Sequence, residues 1–529
     1  MTKEPPPMPQ RSRTTLVIAA VGLLIAGAVW VGATQPWSDE TTTNSTAATA
    51  TSIGPGDEAV LASERARRGS NAAVREVSLT AAPASIDLGD RTVETWAFNG
   101  TVPGPEIRVE KGDVLRAVVQ NDLPEPMTIH WHGIALRNDM DGVPDLTQES
   151  IAPGASFTYE FTVPDAGTFF YHPHTGTQLD RGLYGALIVE DDGMAADGGA
   201  EDVTVLLDDW IDGTGQDPDD VLQGLMSGAA PGHDMGAMGD EDMGDMDMDM
   251  GDTTMGDMTM ATPERPLGSD TSDVDYPLYI VNGRTTSELA VRPGSTTRLR
   301  LINAGADTPF RVAVGGARLT VVATDGFPVQ PVTVDTLVIG MGERYDVTVD
   351  VPEGSGLPLV AAVEGGDGGT QALLRSGPGT IPEAGSRPAE LDGDLLTLDD
   401  LVATGDVRLT TRTPDRTYEI SMQGDMQAYQ WALDAPAEDG TSMPVREGER
   451  IRLVLRNDTM MWHPIHLHGH TFQITVDGQP GARKDTVIVP PMETVAVEFD
   501  ADNPGSWAIH CHNIYHAEAG MVTVVSYVR

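Results

Sequence analysis

The stretch SWAIHCHNIYHAEAGM, residues 506–521, carries the pattern from which the fold and the chemistry of the chain follow. In an extended strand, side chains two residues apart point to the same face. His510 and His512 therefore face one site, and Cys511 between them faces the opposite side of the strand. If the two imidazoles bind one group of metal ions, the thiolate is available to a second group. The stretch predicts a β-strand that joins two neighbouring metal sites.

The same two-residue spacing of histidines occurs at four places in a chain that has only 12 His. Imidazole suits copper, zinc, iron and nickel. One such pair is more often structural than metal-binding, but four in one chain indicate a shared site. Eight imidazoles exceed what one ion takes, so a metal cluster is predicted. The pairs are His130/His132, His172/His174, His466/His468 and His510/His512.

A second ligand set surrounds Cys511. His516 follows it by five residues, Met521 follows it by ten, and His463 begins the third histidine motif upstream. Two His, one Cys and a distant Met are the ligands of a blue-copper electron-transfer site. The sequence thus predicts a one-electron entry site joined through residues 510–512 to a multi-metal cluster. Such a pair of sites collects electrons singly and delivers them to an oxidant that needs several.

Composition restricts the other possibilities. The chain has 529 residues, with 80 Asp+Glu against 33 Lys+Arg and a formal net charge of −47. At roughly 150 residues per domain, this length suggests about three domains. The acidic balance argues against a nucleic-acid binder, which needs clustered Lys and Arg. A single Cys excludes an intramolecular disulfide, a cysteine zinc cluster and iron–sulfur ligation by several thiolates.

Short β-branched segments separated by turns recur from about residue 71 onward. Examples are Ile107–Val109, Val114–Val119, Thr297–Asn303 and Tyr345–Val351, and Pro-Gly pairs precede several of them. Long helical periodicity is almost absent. This pattern is typical of antiparallel β-sandwich or β-barrel units.

The N-terminus contains an uncharged apolar run at residues 16–33, preceded by basic and followed by acidic residues. We interpret residues 1–13 as a cytoplasmic tail and 14–33 as a transmembrane anchor or a signal peptide. Residues 34–70 are rich in Thr, Ser and Ala and are predicted to be a flexible linker. The expected location is the cell membrane, as a single-pass protein with the rest of the chain extracellular. If the segment is cleaved, the protein is secreted.

Residues 213–272 interrupt the strand pattern. Within residues 226–260 lie 10 of the 23 Met, and residues 234–260 hold eight Asp and one Glu without Lys or Arg. Such a composition cannot bury a core, so the segment is predicted to be a disordered Met/Asp-rich insertion.

The histidine motifs carry a family resemblance. His130-Trp131-His132-Gly133, His172-Pro173-His174, the run 463–469 and the run 510–521 resemble the four copper-binding motifs of the multicopper oxidases. Gly342-Glu343-Arg344-Tyr345-Asp346-Val347 also resembles the middle domain of that family. The resemblance covers roughly residues 75–529, apart from the insertion. It implies three consecutive cupredoxin-like Greek-key domains, with the metal cluster between the first and the last. The implied domains are residues 71–195, 196–390 and 391–529.

The resemblance also implies four copper ions and their ligands. His463, Cys511, His516 and axial Met521 would hold the type 1 copper, and His130 and His466 the type 2 copper. The type 3 pair would be held by His132, His172 and His512 on one side and by His174, His468 and His510 on the other. His470, at the end of the third motif, is expected to be exposed or to support a ligand from behind.

Reduction of O2 to water also needs protons. Asp141, nine residues after His132, resembles the acid that the family places near the cluster. In the family a second acid often follows the late type 1 histidine directly. Here that position is Ala517, and Glu518 comes one residue later. Asp141 and Glu518 are therefore the candidate catalytic acids.

The Met-rich insertion bears on the substrate. The family oxidises phenols, aromatic amines or metal ions such as Cu(I) and Fe(II), so the one-electron donor is expected to be one of these. Thioethers favour Cu(I). The insertion resembles the Met-rich segment of bacterial copper efflux oxidases, although there it lies in the last domain. Met461 resembles a position lining their substrate approach, and Met460 and Asp458 are grouped with it. The candidate Cu(I) ligands are Met235, Met238, Met243, Met246, Met248, Met250 and Met461.

Three hypotheses remain open on the sequence. The leading one is an exported, monomeric multicopper oxidase that uses O2 to oxidise Cu(I) and phenols. The second is a general laccase in which the Met-rich segment only shields or modulates the site. The third is a copper-sequestering protein without turnover.

Overall fold

The computed structural model describes residues 51–191, 201–228, 262, 265–268, 271–378, 383, 385–425, 428–436, 443–476 and 478–529. The predicted cytoplasmic tail, the anchor or signal segment 14–33 and residues 34–50 lie outside this part of the chain. Among the described residues, no helix has both the length and the apolar character needed to cross a membrane.

The first group of strands forms two four-stranded sheets, with the orders β2-β1-β4-β6 and β3-β8-β7-β5. A short helix precedes them. The elements are α1 (Glu58–Arg67), β1 (Val74–Asp87), β2 (Thr92–Phe98), β3 (Ile107–Glu110), β4 (Val114–Asn121), β5 (His130–His132), β6 (Ser156–Thr162), β7 (Gly167–His172) and β8 (Gly185–Glu190).

The second group forms a six-stranded and a five-stranded sheet, with the orders β10-β9-β12-β17-β14-β15 and β11-β19-β18-β13-β16. The elements are β9 (Glu201–Trp210), α2 (Pro218–Ser227), β10 (Leu278–Val281), β11 (Thr286–Ala290), β12 (Ser295–Asn303), β13 (Phe310–Val314), β14 (Leu319–Thr324), β15 (Phe327–Val334), β16 (Thr336–Ile339), β17 (Arg344–Val351), β18 (Gly356–Val363) and β19 (Gly369–Arg375).

The third group repeats this arrangement, with the orders β21-β20-β23-β28-β25-β26 and β22-β30-β29-β24-β27. The elements are β20 (Arg416–Asp425), β21 (Gln430–Asp434), β22 (Met443–Val445), β23 (Arg450–Asn457), β24 (His463–Leu467), β25 (Phe472–Val476), β26 (Gln479–Lys484), β27 (Thr486–Val489), β28 (Thr494–Asp500), β29 (Ser506–Cys511), α3 (Ile514–Glu518) and β30 (Val522–Tyr527).

The three groups share one strand connectivity. In each, the first long strand pairs in parallel with a later one, as in β1 with β4, β9 with β12 and β20 with β23. The second sheet of each group also contains one parallel pair, namely β3–β8, β11–β19 and β22–β30. Most other pairings are antiparallel, and apolar side chains fill the space between the sheets. The prediction of an all-β chain with three consecutive sandwich units is confirmed. The boundary at 195/196 falls outside the described residues, and the one at 390/391 stays a prediction.

The predicted flexible linker is wrong for residues 58–67, which form helix α1. Asp57 caps the helix by accepting a hydrogen bond from Ala59 N at 3.0 Å. Val60 is 1% exposed and Glu64 is 4% exposed, so one face of the helix is buried. Arg67 donates to the carbonyl oxygens of Ala135 in the first unit (2.8 Å) and Asp502 in the third (3.4 Å). The helix therefore packs against the first and third units instead of forming part of a flexible linker.

The helix yields a stability test. Glu64 Oε1 accepts hydrogen bonds from Thr162 N at 3.1 Å and Thr162 Oγ1 at 2.8 Å. We expect Glu64→Ala to lower the free energy of unfolding by about 1–3 kcal/mol, because it leaves buried donors without a partner. Chemical denaturation measures this change. Glu58→Ala, on the exposed face of the same helix, is the matched control and should change little; equal effects would contradict the docked helix.

The predicted disordered insertion is also wrong for part of its length. Residues 218–227 form helix α2, which begins at the capping residue Asp217 and ends at Gly228 in the left-handed conformation. A Pro in the first turn and an Asp cap favour helix initiation. Beyond the Met-rich stretch, Leu267 and Thr271 are buried. The methionines between 235 and 260 lie outside the described residues.

Strand register brings the histidine motifs together in pairs. In the first unit, β5 and β7 are antiparallel, with His130 opposite His172. In the third unit, β24 and β29 are antiparallel, with His466 opposite His510 and Ile465 opposite Cys511. The first two histidine motifs are thus neighbours across a sheet of the first unit, and the last two are neighbours across a sheet of the third unit.

Candidate metal centre

The eight paired histidines converge on one buried centre between the first and third units. Their ring nitrogens form three groups, and within each group the nitrogens lie within 4.8 Å of one another. Three of the four pairs begin in the strands β7, β24 and β29. In each of these pairs, the two histidines belong to different groups. The groups are His130/His132/His466, His132/His172/His512 and His174/His468/His510.

Nitrogens from different units face each other at the centre. His130 Nε2 lies 3.4 Å from His466 Nε2, and His174 Nε2 lies 3.4 Å from His510 Nε2. His468 Nε2 lies 3.0 Å from His510 Nε2. The opposite nitrogens of His130 and His466 are hydrogen-bonded to backbone carbonyl oxygens, which fixes the inward nitrogens as lone-pair donors. Two facing lone pairs are stabilised by a cation between them.

Other inward nitrogens have no hydrogen-bond partner among the described residues. These are His132 Nδ1, His172 Nε2 and both nitrogens of His512. The three residues are at most 4% exposed, so water does not satisfy these atoms at the surface. Buried polar atoms normally have a partner, and an unpaired one indicates an ion or water. The donor set therefore fits a group of metal ions.

The protonation state of the cluster agrees with metal binding. Burial lowers the pKa of the imidazoles, and neighbouring histidines lower it further, for instance at His172, His468 and His512. Burial is the first cause at His510 as well, where the pKa falls to about 3. Metals bind the neutral imidazole. The cluster is thus held in the state that a metal needs.

A second donor set lies on the other side of strand β29. Cys511 Sγ is 3.8 Å from His463 Nδ1 and 3.6 Å from His516 Nδ1, and the two nitrogens are 3.2 Å apart. A trigonal metal with bonds of about 2.0 Å to nitrogen and 2.3 Å to sulfur spaces its ligands by about 3.5 Å and 3.7 Å. Burial raises the pKa of the Cys511 thiol, so metal binding there displaces a proton.

Met521 lies beside this second set. It is fully buried, and its backbone carbonyl accepts a hydrogen bond from Cys511 N at 3.1 Å. Its own N–H donates to the carbonyl of His516 at 2.9 Å. All four predicted residues of the one-electron site are therefore neighbours, three of them through their metal-binding atoms.

The surroundings of the second set were not anticipated from the sequence. His516 Nε2 lies 2.8 Å from Asp273 Oδ2, which also accepts a hydrogen bond from the Tyr429 hydroxyl at 2.7 Å. The Trp431 ring lies 4.1 Å from the ring of His516, centroid to centroid. No sequence motif marks these residues, because Asp273 follows the Met-rich insertion and contacts a histidine 243 positions later.

Asp141 lies next to the cluster, on the outer side of His130 and His468. It is fully buried, and its Oδ2 is 3.0 Å from His468 Nδ1. Its Oδ1 is 3.2 Å from His130 Nδ1, but that nitrogen is hydrogen-bonded to the backbone carbonyl of Asp141 at 3.0 Å. Oδ1 therefore has no hydrogen-bond partner of its own within the described chain. The carboxylate both orients His468 and keeps one free oxygen.

Glu518 borders a small cavity of about 40 Å³ that reaches the cluster. His172, His174, His510 and His512 line the same cavity. Although the Glu518 side chain is exposed, partial desolvation raises its pKa, and the charge of Asp219 adds to this, whereas the N–H of Gly176 opposes it. A carboxyl group with a raised pKa is suited to carry a proton near neutral pH.

Three further residues have mixed outcomes. His470 is 4% exposed, and its Nε2 lies 2.7 Å from the Tyr527 hydroxyl, while its Nδ1 lies 3.1 Å from the His468 carbonyl. It supports a cluster ligand from behind, and the exposed alternative is wrong. Met461 is 4% exposed, whereas Met460 is 46% exposed. The thioether that meets solvent is therefore that of Met460.

Comparison with known proteins gives the family. Sequence models described as "Multicopper oxidase" match residues 80–193, 201–356 and 411–528. The chain is 42% identical over 476 residues to the multicopper oxidase MmcO of Mycobacterium tuberculosis, covering 89% of this chain and 90% of that protein. The chain belongs to the multicopper oxidase family. The metal of a multicopper oxidase is copper, and its oxidant is O2.

Further relatives of this multicopper oxidase include a copper resistance protein A homolog of Pseudomonas syringae pv. tomato. It is 30% identical, with 84% of this chain and 91% of that protein covered. The crystal structure of a multicopper oxidase from Pseudomonas thermotolerans is 28% identical, with a TM-score of 0.62 over 86% of this chain and 100% of that one. The laccase of Botrytis aclada is 28% identical, with a TM-score of 0.65 and coverages of 86% and 88%. These structures confirm the cupredoxin-like fold class.

Proposed function

We propose that this multicopper oxidase binds four copper ions and oxidises Cu(I), and also phenols, with O2 as the electron acceptor. Bound copper would supply the one-electron steps that couple substrate oxidation to the four-electron reduction of O2 to water. The second donor set would hold one ion (type 1), and the eight-histidine centre would hold three. Within the centre, His130 and His466 would hold one ion, and the remaining six histidines would hold the other two. Residues 510–512 join the two sites by a covalent path.

The observation that carries the Cu(I) proposal is the position of residues 271–273. They lie at the C-terminal end of the Met-rich insertion, and Thr271 and Asp273 contact the type 1 donor set and its surroundings. Asp273 is hydrogen-bonded to His516, and the carbonyl of Thr271 accepts a hydrogen bond from Trp462 Nε1 at 2.9 Å. Although the insertion lies between the first and second units in sequence, its C-terminal neighbours meet the third unit at the electron-entry site. This position supports direct delivery of Cu(I) from the insertion to that site.

The chemistry of the insertion supports the same proposal. Thioethers select Cu(I), and carboxylates accept the harder Cu(II) that oxidation produces. Met235, Met238, Met243, Met246, Met248 and Met250 alternate with Asp residues over a short length of chain. A ligand-bearing segment that is tethered next to the site of oxidation raises the local concentration of Cu(I) there.

Deletion of residues 233–260 tests this proposal. We expect KM for Cu(I) to rise by about 10-fold or more, because tethering contributes an effective concentration that the deleted protein lacks. KM for a phenol should stay unchanged. Oxygen uptake with each substrate measures both values. The matched control keeps the length and charge of the segment: every methionine from Met235 to Met260 is changed to Leu, and every Asp is retained. This variant should behave like the deletion.

The opposite result is equally informative. If Cu(I) turnover survives the deletion, the segment has no delivery role and the protein is a general laccase. If the protein holds copper but consumes no O2 with either substrate, it is a copper-sequestering protein.

We assign proton delivery to Asp141 and Glu518. Asp141 lies directly behind His130 and His468 and has a free Oδ1, and Glu518 borders the small cavity that four cluster histidines line. Export completes the proposal. The apolar run at 16–33 would either anchor the chain, with these domains outside the cell membrane, or direct it to secretion.

A further inference from the structure

A buried ion pair connects the middle unit to the trinuclear histidines. Arg344, the first residue of β17, donates from Nη1 to Asp485 Oδ1 at 2.7 Å and from Nη2 to Asp485 Oδ2 at 2.5 Å. Asp485 belongs to the third unit, between β26 and β27. Both residues are fully buried. The described part of the middle unit supplies no histidine ligand, and this pair connects it to the cluster histidines.

Asp485 contacts two of the histidine ligands on the sides that face away from the metals. Its Oδ1 lies 3.0 Å from His132 Nε2, and its backbone carbonyl lies 2.9 Å from His466 Nδ1. Two charge-assisted hydrogen bonds from Arg344 pair with the Asp485 carboxylate. A carboxylate and a carbonyl only accept hydrogen bonds. The facing nitrogens therefore carry protons, which leaves His132 Nδ1 and His466 Nε2 with free lone pairs.

Two glycines lie against the Arg344–Asp485 pair and the cluster histidines. Gly133, directly after His132, has φ +85, and a Cβ there would lie 2.5 Å from Arg344 Nη2 and 2.7 Å from Asp485 Oδ2. Gly342, two residues before Arg344, has φ +82, and a Cβ there would lie 2.7 Å from His512 Cδ2. Both positions require glycine, because φ is positive and a Cβ would collide with the neighbouring side chains. The middle unit is thus fitted closely against the ligands of the cluster.

Further contacts hold Arg344 itself in place. Its Nε donates to the carbonyl of Thr168 on β7 at 3.1 Å, and its backbone N–H donates to Asp325 Oδ1 at 2.9 Å. Lys484 lies 3.1 Å from both Asp325 Oδ2 and Glu343 Oε1, which balances the remaining buried charge. One guanidinium therefore contacts strands or loops of all three units.

We propose that Arg344 is a positioning residue of the trinuclear copper centre: acting through Asp485, it fixes which nitrogen of His132 and of His466 faces the metals. The inference rests on the copper content of the proposed function. Outer hydrogen-bond partners of metal-binding histidines set ring orientation and tautomer, and their loss typically weakens metal binding about 10–100-fold. Lysine cannot replace a bidentate guanidinium, because it makes one point contact.

The test compares Arg344→Lys with Arg311→Lys in the full-length, copper-loaded protein. Arg311 is the matched control, since it is also buried in the middle unit and binds Glu364 through two bonds of 2.5 Å and 2.7 Å, neither of which involves a histidine or Asp485. Each protein is titrated with a copper chelator, and the copper left per chain and the blue absorption are recorded. We expect Arg344→Lys to release the cluster copper at a roughly 10–100-fold lower chelator concentration, with the blue type 1 colour retained. Arg311→Lys should match the wild type.

Asp485→Asn is the second variant, and it keeps the size of the side chain. An amide cannot form the same pair with Arg344, so the same selective loss of cluster copper is expected. If both variants hold cluster copper as tightly as Arg311→Lys, or if Arg311→Lys loses as much, the positioning role is wrong. Thermal unfolding of the copper-free proteins separates instability from weakened metal binding. If the wild-type protein binds no copper, the proposed function is wrong. That outcome is distinct from a failure of the positioning role, which is measured relative to the copper-loaded wild type.

Discussion

Cys511→Ser is expected to remove the blue colour and to lower oxidase activity by more than about 100-fold, beyond the loss typical of changes behind a metal ligand. The thiolate is the soft ligand of the predicted type 1 set, within 3.8 Å of the donor nitrogens of His463 and His516. A serine hydroxyl neither matches that softness nor gives the thiolate-to-copper absorption. Cys511 also joins the two donor sets, so electron entry should stop there.

The fold should survive this substitution. Cys511 is fully buried, and a hydroxyl placed there without a partner costs about 1–3 kcal/mol. We therefore expect a modestly lower melting temperature with retained β-structure by circular dichroism. Met521→Leu is the control within the same site, and because an axial Met is a weak ligand it should stay blue. A blue and active Cys511→Ser protein would refute the type 1 assignment.

Sequence alone identifies the donors of both sites, because they occur in short motifs whose spacing has a chemical meaning. The two-residue spacing of His130 and His132 is an example. It does not identify the groups that orient those donors. Asp485 contacts a histidine 353 positions earlier, and Asp273 contacts one 243 positions later. Only the assembled fold creates these contacts. A single Asp in a chain with many acidic residues carries no local signal.

The fold is likewise predictable where its signal is local. Alternating strands and turns indicate the sandwich units, since the order of apolar and polar residues in a strand shows which of its faces is buried. Helix α1 was missed because Glu58–Arg67 has little amphipathic character and lies next to a Thr- and Ser-rich stretch. Its stability comes from docking: Val60 and Glu64 are buried against the rest of the chain. Tertiary contact, which local composition does not report, decides such segments.

Asp141→Asn is expected to slow the reoxidation of the reduced enzyme by O2 by at least about 100-fold, if the carboxylate supplies protons there. Reduction of the type 1 site by a phenol under anaerobic conditions should stay near the wild-type rate, because that site lies on the opposite face of β29. Rapid mixing measures the two half-reactions separately. Asp139→Asn is the matched control, since Asp139 lies two residues away in the same loop and pairs with Arg137 instead of a histidine.

The pH dependence separates proton delivery from mere orientation of His468. Asn cannot carry a proton, so if Asp141 is a general acid, the loss in Asp141→Asn should change with pH and copper content should stay complete. If the carboxylate only holds His468 Nδ1, which lies 3.0 Å from Oδ2, cluster copper should be lost and the rate per remaining copper should not depend on pH differently from the wild type. Reoxidation at the wild-type rate would exclude both roles. Asp141 Oδ1 has no hydrogen-bond partner among the described residues, so the carboxylate keeps an oxygen that can hold a proton beside His130 and His468, which favours proton delivery.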